Sequence, residues 1–253
     1  MNRVEWLKQM RFKVEALYDR GAPLYWVQWA VDDSNNETQR EYLHKFLSLI
    51  PQPGYLLSAA SGAGRYDGIL SEAGHNVLGI DQSLGVLARA REHFPQESFP
   101  RLHYKKIGMQ EMDFHKVFDG ITCIDAMEHI CPEDYPGIMR AFYEALKPGG
   151  VLYFTAETQE TAVDDGEDLE EAYVKAKGQG LPVVPGEVVH EIYSAYPQVM
   201  RQIDEPAEVW HNAVYRYYPP LAQTKIWIEQ AGLTIIEEGY GSAVYHFIVR
   251  REG

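Results

Sequence analysis

The stretch "YLLSAASGAGRYDG", Tyr55 to Gly68, decides the fold. An apolar run leads into small residues, and Gly62-Ala63-Gly64 then opens a helical segment. Strand, glycine turn and helix N-terminus together form a site for a nucleotide-like ligand. The helix end offers unpaired N–H groups, and glycine lets a ligand approach the backbone. The dinucleotide fingerprint G-x-G-x-x-G is broken here, because Asp67 stands in the third glycine's place and Gly68 comes one residue late. No G-x-x-x-x-G-K-[ST] occurs, which excludes a P-loop. Ser58 stands where such a turn often carries an acid.

Working outward, apolar runs at "YLLSAA", "HNVLGID", "RLHYKKI", "DGITCID" and "GVLYFTA" read as strands. Helical segments lie between them. One runs from Arg65 to Ala73 and stops at Gly74; Ser83 caps the next; a third starts at Pro136 and ends at Leu146, before Lys147-Pro148-Gly149-Gly150. This alternation implies a parallel sheet with right-handed crossovers. The second strand ends in Asp81, whose carboxylate can accept both hydroxyls of a ribose. The regularity breaks at Glu157–Tyr218, an acidic and then Pro/Gly-containing stretch with helical, Tyr-rich segments. It resumes with a helix over Leu221–Ala231 and two strands, "LTIIEEG" and "AVYHFIVRR", that suit a closing hairpin. The expected organisation is a helical N-terminal lid (1–45), a core (46–156), a cap insertion (157–218) and a C-terminal helix and hairpin completing the core (219–253).

The 253 residues suit one α/β domain with a sizeable insertion, or two small ones. A net charge of -14 argues against nucleic acid as partner, since phosphate binding needs clustered Lys and Arg. No apolar stretch approaches the roughly 20 residues of a membrane span, and the N-terminus has no signal-peptide core. Cys123 and Cys131 match no disulfide framework or zinc motif, so a reducing cytoplasm is the simplest location. A monomer or homodimer acting on a small molecule is expected.

Four stretches, in this order, carry a resemblance: "LLSAASGAGRY", "VLGIDQS", "GMQEMDFHKVFDGITCIDAMEHI" and "ALKPGGVLYFTA". Across Gly54–Ala156 the chain resembles the class I S-adenosylmethionine-dependent methyltransferases, in particular the small-molecule group with the ubiquinone-biosynthesis O-methyltransferases. The resemblance implies an α/β, Rossmann-like, doubly wound and mostly parallel seven-stranded sheet, with helices on both faces. It implies S-adenosylmethionine as cofactor and S-adenosylhomocysteine as product. The cofactor positions it points to are Tyr18, Ser58, Ala60, Gly62, Gly64, Asp81, Gln82, Gly108, Met109, Gln110, Asp125 and Ala126. Two positions depart from the family. Ser58 replaces an acid that helps hold the methionine ammonium, and Gly108 replaces one that bonds the adenine amine. Each missing charge-assisted hydrogen bond costs about 1.5–3 kcal/mol. A weakened site is therefore expected, which Ser58→Asp should tighten.

"DAMEH" places Asp125, Glu128 and His129 at i, i+3 and i+4, where side chains converge on one helical turn. Some relatives hold a divalent metal here. The alternatives are His129 as a general base, with Glu128 beside it, or purely local roles, and metal is not favoured. His190, His211 and His246 are further base candidates, with His211 the best placed, near "YRYY". Trp6, Tyr18, Tyr25, Trp26 and Trp29, with Tyr193, Tyr196, Tyr215, Tyr217 and Tyr218, are expected to wall off an aromatic or apolar acceptor. The leading reading is methyl transfer to an O or N atom of that acceptor. The rivals are a non-catalytic binder of the same cofactor and a nicotinamide-dependent oxidoreductase.

Overall fold

The structure, a computed structural model, describes residues 1–26, 37–190 and 214–253. Five strands run parallel: β1 (Tyr55–Ala59), β2 (Asn76–Asp81), β3 (Leu102–Lys106), β4 (Phe118–Cys123) and β5 (Leu146–Ala156). A two-stranded ribbon, β6 (Glu187–His190) with β7 (Val214–Tyr217), stands apart from them. The hairpin of β8 (Leu233–Gly241) and β9 (Val244–Arg251) completes the main sheet, whose order is β3-β2-β1-β4-β5-β9-β8. Within this sheet β9 alone runs opposite to the other six strands. The seven-stranded sheet expected from the resemblance is thus present.

Both faces of this sheet are covered, and period-2 alternation assigns neighbouring residues to opposite sides. Leu57 of β1 packs with Trp6, Met10, Val14 and Phe142, whereas Leu56 packs with Leu43, Phe46, Leu70 and Tyr153. Trp6, Met10 and Val14 come from α1 (Arg3–Tyr25) and Leu43 and Phe46 from α2 (Glu37–Ser48). Leu70 lies on α3 (Asp67–Glu72), which follows the glycine turn and is shorter than the sequence suggests. Ser83 caps α4 (Leu84–His93) as expected, its hydroxyl accepting the Val86 N–H at 3.2 Å. Phe142 belongs to α5 (Tyr135–Ala145), which ends one residue before its expected stop. The Lys147–Gly150 turn falls within the bounds of β5, with Gly149 in the left-handed region at φ +80°.

The segment 157–218 holds one helix among its described residues, α6 (Leu169–Gly178), and the β6–β7 ribbon. "VYRY", expected in a helical stretch, is strand β7. Its alternation of Val and Tyr with a polar residue fits a half-buried pleat better than a helix face. Helix α7 (Leu221–Gln230) leads into β8. Of the described helices, none is long and apolar enough to cross a membrane.

Candidate active site

The chain leaves β1 outward through β2 and β3, then crosses back to β4 on the other side of β1. Open α/β sheets bind ligands at the carboxyl ends of the strands flanking such a reversal. A cleft of about 690 Å³, open mouth included, lies there. Its floor comes from Ala60 and Gly62 after β1, Asp81 and Gln82 after β2, Gly108, Met109 and Gln110 after β3, and Asp125 and Ala126 after β4. Helix α1 supplies the wall through Arg11, Val14, Tyr18 and Tyr25, and Val86, His129 and Ile130 complete the lining.

The backbone here is bent for proximity. Ala60 (φ +51°), Gly62 (φ +55°) and Asp125 (φ +51°) are left-handed. Only glycine adopts that region without steric cost, so two non-glycine residues hold strained conformations at the cleft floor. At Gly62 a Cβ would collide with the Tyr25 hydroxyl, so the turn needs glycine for its contact with α1 as well as for its φ. Gly64, counted among the cofactor positions, does not line the cleft. It faces backward, where a Cβ would press on the Tyr104 hydroxyl and the Phe94 ring.

Asp81 accepts hydrogen bonds from the Gly62 N–H (3.0 Å) and the Ser83 N–H (2.8 Å). The first ties the strand-end carboxylate to the glycine turn. Burial raises its pKa to about 6, against the lowering effect of those backbone bonds. Gly108 carries no acid, but Glu111 reaches back across one turn and accepts the Gly108 N–H at 2.8 Å. The Glu111 carboxylate also pairs with Arg11 of α1. A carboxylate thus stands against position 108, supplied from three residues on.

Ser58 lies beneath the cleft floor, in a second, smaller chamber of about 380 Å³, open mouth included, that shares Tyr25, Ala60 and Asp125 with the cleft. Arg65 and Asp67 line this chamber as well, and sequence reading assigned a role to neither. Asp67 had counted only as the residue that spoils a glycine motif. Nothing in one sequence shows that its side chain turns inward behind the β1 strand end.

"DAMEH" does not form a shared ligand set. Asp125 pairs with Arg65 at 3.2 Å. Glu128 is buried and does not line the cleft; burial first, and then the charges of Glu157 and Asp125, hold its carboxyl well above the usual range. His129 does line it. Its Nδ1 lies 3.1 Å from the Tyr215 carbonyl oxygen, which requires the proton on Nδ1, and Nε2 then accepts the Tyr18 hydroxyl at 2.9 Å. Burial lowers the His129 pKa to about 4, so the ring is neutral at physiological pH. Among the described residues no group of three His, Cys, Asp or Glu side chains gathers in a way that could hold a metal ion.

The other histidines lie elsewhere. His246 is fully buried, stacked on Tyr42 and bonded to Tyr153 and the Gly241 carbonyl. His190 pairs with Glu167 at 2.6 Å. His211, Trp29, Tyr193 and Tyr196 fall outside the described residues. Trp6 is core, edge-on to Tyr215 at 5.8 Å, and Trp26 stacks on His93 at 3.8 Å. Tyr217 and Tyr218 are buried in or beside the ribbon. A groove beside α1 opens next to His129, lined by Leu7, Met10, Val14, Cys131 and Tyr215 among others.

Residues 57–154 match a family model described as a methyltransferase domain. Over 102 residues, 40% of this chain and 42% of the relative, the sequence is 31% identical to a ubiquinone biosynthesis O-methyltransferase of Acinetobacter baumannii (strain AYE). The same enzyme from Pseudomonas savastanoi pv. phaseolicola is 36% identical over 94 residues, 35% of this chain and 39% of the relative. The chain spans about two fifths of the length of these curated relatives. Among solved structures, a Burkholderia thailandensis 1,6-didemethyltoxoflavin-N1-methyltransferase superposes with a TM-score of 0.64 at 14% identity, covering 100% of this chain and 92% of that one. The magnesium protoporphyrin IX methyltransferase of Synechocystis PCC 6803 gives 0.63 at 14% identity, covering 96% and 100%. The chain therefore shares the fold of these two solved methyltransferases. The matched stretch, residues 57–154, contains the residues that form the cleft floor, while helix α1 outside it supplies the wall.

Proposed function

We propose that the chain binds S-adenosylmethionine in this cleft and transfers its methyl group to an O or N atom of a small aromatic or apolar acceptor. One observation carries the reading: the Asp81 carboxylate, at the cleft floor by the sheet's reversal point, is fixed by the Gly62 and Ser83 N–H groups. A carboxylate so held keeps lone pairs for two vicinal hydroxyls, and Gly62 and Ala60 leave the backbone approachable. The residues present fit the cofactor. Asp81 and Gln82 would hold ribose and adenine, Gly108 to Gln110 the adenine edge, and Ala60, Gly62 and Asp125 the amino-acid arm. The relatives' names, which speak of O- and N-methylation, support the reaction class.

Bound there, the cofactor supplies an electrophilic methyl on a sulfonium, already a good leaving group. The protein's task is alignment, which can contribute about 7–11 kcal/mol. His129 stands with Val14 where the cleft meets the groove beside α1, and the apolar part of that groove, from Val4, Leu7, Met10 and Val14, supports an aromatic or apolar acceptor. His129 orients a hydroxyl through Nε2, as it does that of Tyr18. It does not store a proton: with its pKa near 4, full transfer from a phenol is uphill by about 8 kcal/mol. Calorimetry with S-adenosylhomocysteine tests the reading. Asp81→Ala should lose at least tenfold in affinity, about 1.4 kcal/mol. An unchanged affinity puts the ribose elsewhere.

A further inference from the structure

The chamber beneath the glycine turn holds polar groups that the fold itself does not use. Asp67 is 1% exposed, and neither carboxyl oxygen has a hydrogen-bond partner of good geometry among the described residues. The Ser58 and Tyr104 hydroxyls approach it without forming well-aligned bonds. Arg65 Nε and Ser61 Oγ, lining the same chamber, are buried and without partners too. Burying a carboxyl unpaired is costly, and such groups persist where something else compensates them. A place in the first turn of α3 suits a negative charge, but it gives neither oxygen a backbone bond. No lysine lines the chamber, and Arg65 spends its guanidinium end on Asp125.

An unpaired carboxyl and an unpaired guanidinium N–H in one chamber match a zwitterion, the chemistry of an amino-acid group. Tyr25, Ala60 and Asp125 form the border shared with the main cleft. A ligand whose nucleoside lies in the cleft can therefore pass its amino-acid end across Ala60 into the chamber. Resting on the cofactor reading above, we propose that Asp67 is the positioning residue for the ammonium of that end. It supplies from helix α3 the negative charge that Ser58 does not supply from strand β1. The expectation that Ser58→Asp would tighten the site is reversed by this arrangement. A carboxylate at 58 would face one already buried at 67, and two such neighbours cannot both ionise cheaply.

Calorimetry with two ligands separates the outcomes. S-adenosylhomocysteine carries the amino-acid end; 5′-methylthioadenosine shares the nucleoside and lacks it. If the unaltered protein binds neither, the cofactor reading fails and this assignment fails with it. If it binds both, Asp67→Asn should weaken S-adenosylhomocysteine at least tenfold and leave 5′-methylthioadenosine within threefold. Equal losses for both ligands would make Asp67 a support of the turn, and no loss for either would remove it from the site; each overturns the assignment while the cofactor reading stands. Should Asp67→Asn not fold, the exchanged variant Ser58→Asp/Asp67→Ser decides. Affinity for S-adenosylhomocysteine within threefold of the parent supports a charge that is movable between strand and helix, and a tenfold loss overturns it.

Discussion

At the scale of single residues, two of the buried titratable side chains make opposite contributions to the response to pH. Burial, opposed by the Ser58 and Tyr104 hydroxyls, raises the Asp67 carboxyl to about 7. An unfolded aspartate ionises near 3.9. Between about pH 4 and pH 7 the folded chain thus keeps a proton that the unfolded chain has released, so stability falls as pH rises through that window. Asp67→Asn removes the titration. Urea unfolding should show the variant gaining on the parent from pH 5 to pH 8, by a few kcal/mol at most. A gap independent of pH would mean that Asp67 is ionised throughout. His129 works in the opposite sense and lower range: lowered to about 4, it is already neutral at any pH where the protein acts. His129→Ala should keep turnover within about tenfold, with no new acid limb between pH 5 and pH 8, once an acceptor is in hand. A hundredfold loss, steepest at low pH, would make it a general base. These residue-level facts explain what the sequence could and could not say. Asp81 and Gly62 were legible from a strand end and a glycine turn, and Gly108–Gln110 through the family resemblance; all five line the cleft. Asp67 and Arg65 were not, because the direction of a side chain behind a turn depends on which rings, here Tyr104 and Phe94, fill the space around it.

Among the elements, α1 does the most to make a cleft out of a sheet edge. It is more than a lid. Trp6, Met10, Val14 and Leu17 are buried, and its ends are fixed by charge. Near its start Arg3 reaches Glu187 of β6 at 2.7 Å, and Tyr215 of β7 donates to the same fully buried carboxylate at 2.6 Å. Further along, Asp19 accepts from the Ser83 hydroxyl (2.6 Å) and the Gly85 N–H (2.8 Å) at the start of α4. The helix therefore joins the ribbon to the cofactor-side helix, with Tyr18 held between the two anchors. Removing Arg3 would leave Glu187 buried without its cationic partner, held among the described residues only by the Tyr215 hydroxyl and the Val184 N–H. Since Arg3 is itself about a fifth exposed, the loss belongs at the lower end for buried pairs. Arg3→Ala should cost roughly 3 kcal/mol in urea unfolding. A change under about 0.5 kcal/mol, the range of ordinary surface substitutions, would show the bridge to be solvated. A helical segment within 1–45 was expected from the sequence, but neither the bounds of α1 nor its anchor was legible. β6 and β7 are four-residue strands separated by many residues, and such pairing leaves no local signature.

Across the whole molecule, the fold was legible because the five parallel strands are each bounded by turn residues and alternate with helices, a pattern that few topologies satisfy. The order of the last two strands carries a consequence of another kind. β8 precedes β9 along the chain, yet β9 lies between β5 and β8 in the sheet, with Phe247, Ile248 and Val249 fully buried. As the polypeptide leaves the ribosome, β1 to β5 can assemble while β8 emerges with nothing to pair with. It must wait for the strand behind it, and only a hairpin delivered as a unit can close the sheet. The half of the sheet that carries the cleft can thus take shape before the half that seals its edge. An arrest of synthesis between Gly241 and Val244 would leave β5 as an open edge of the kind that recruits other chains.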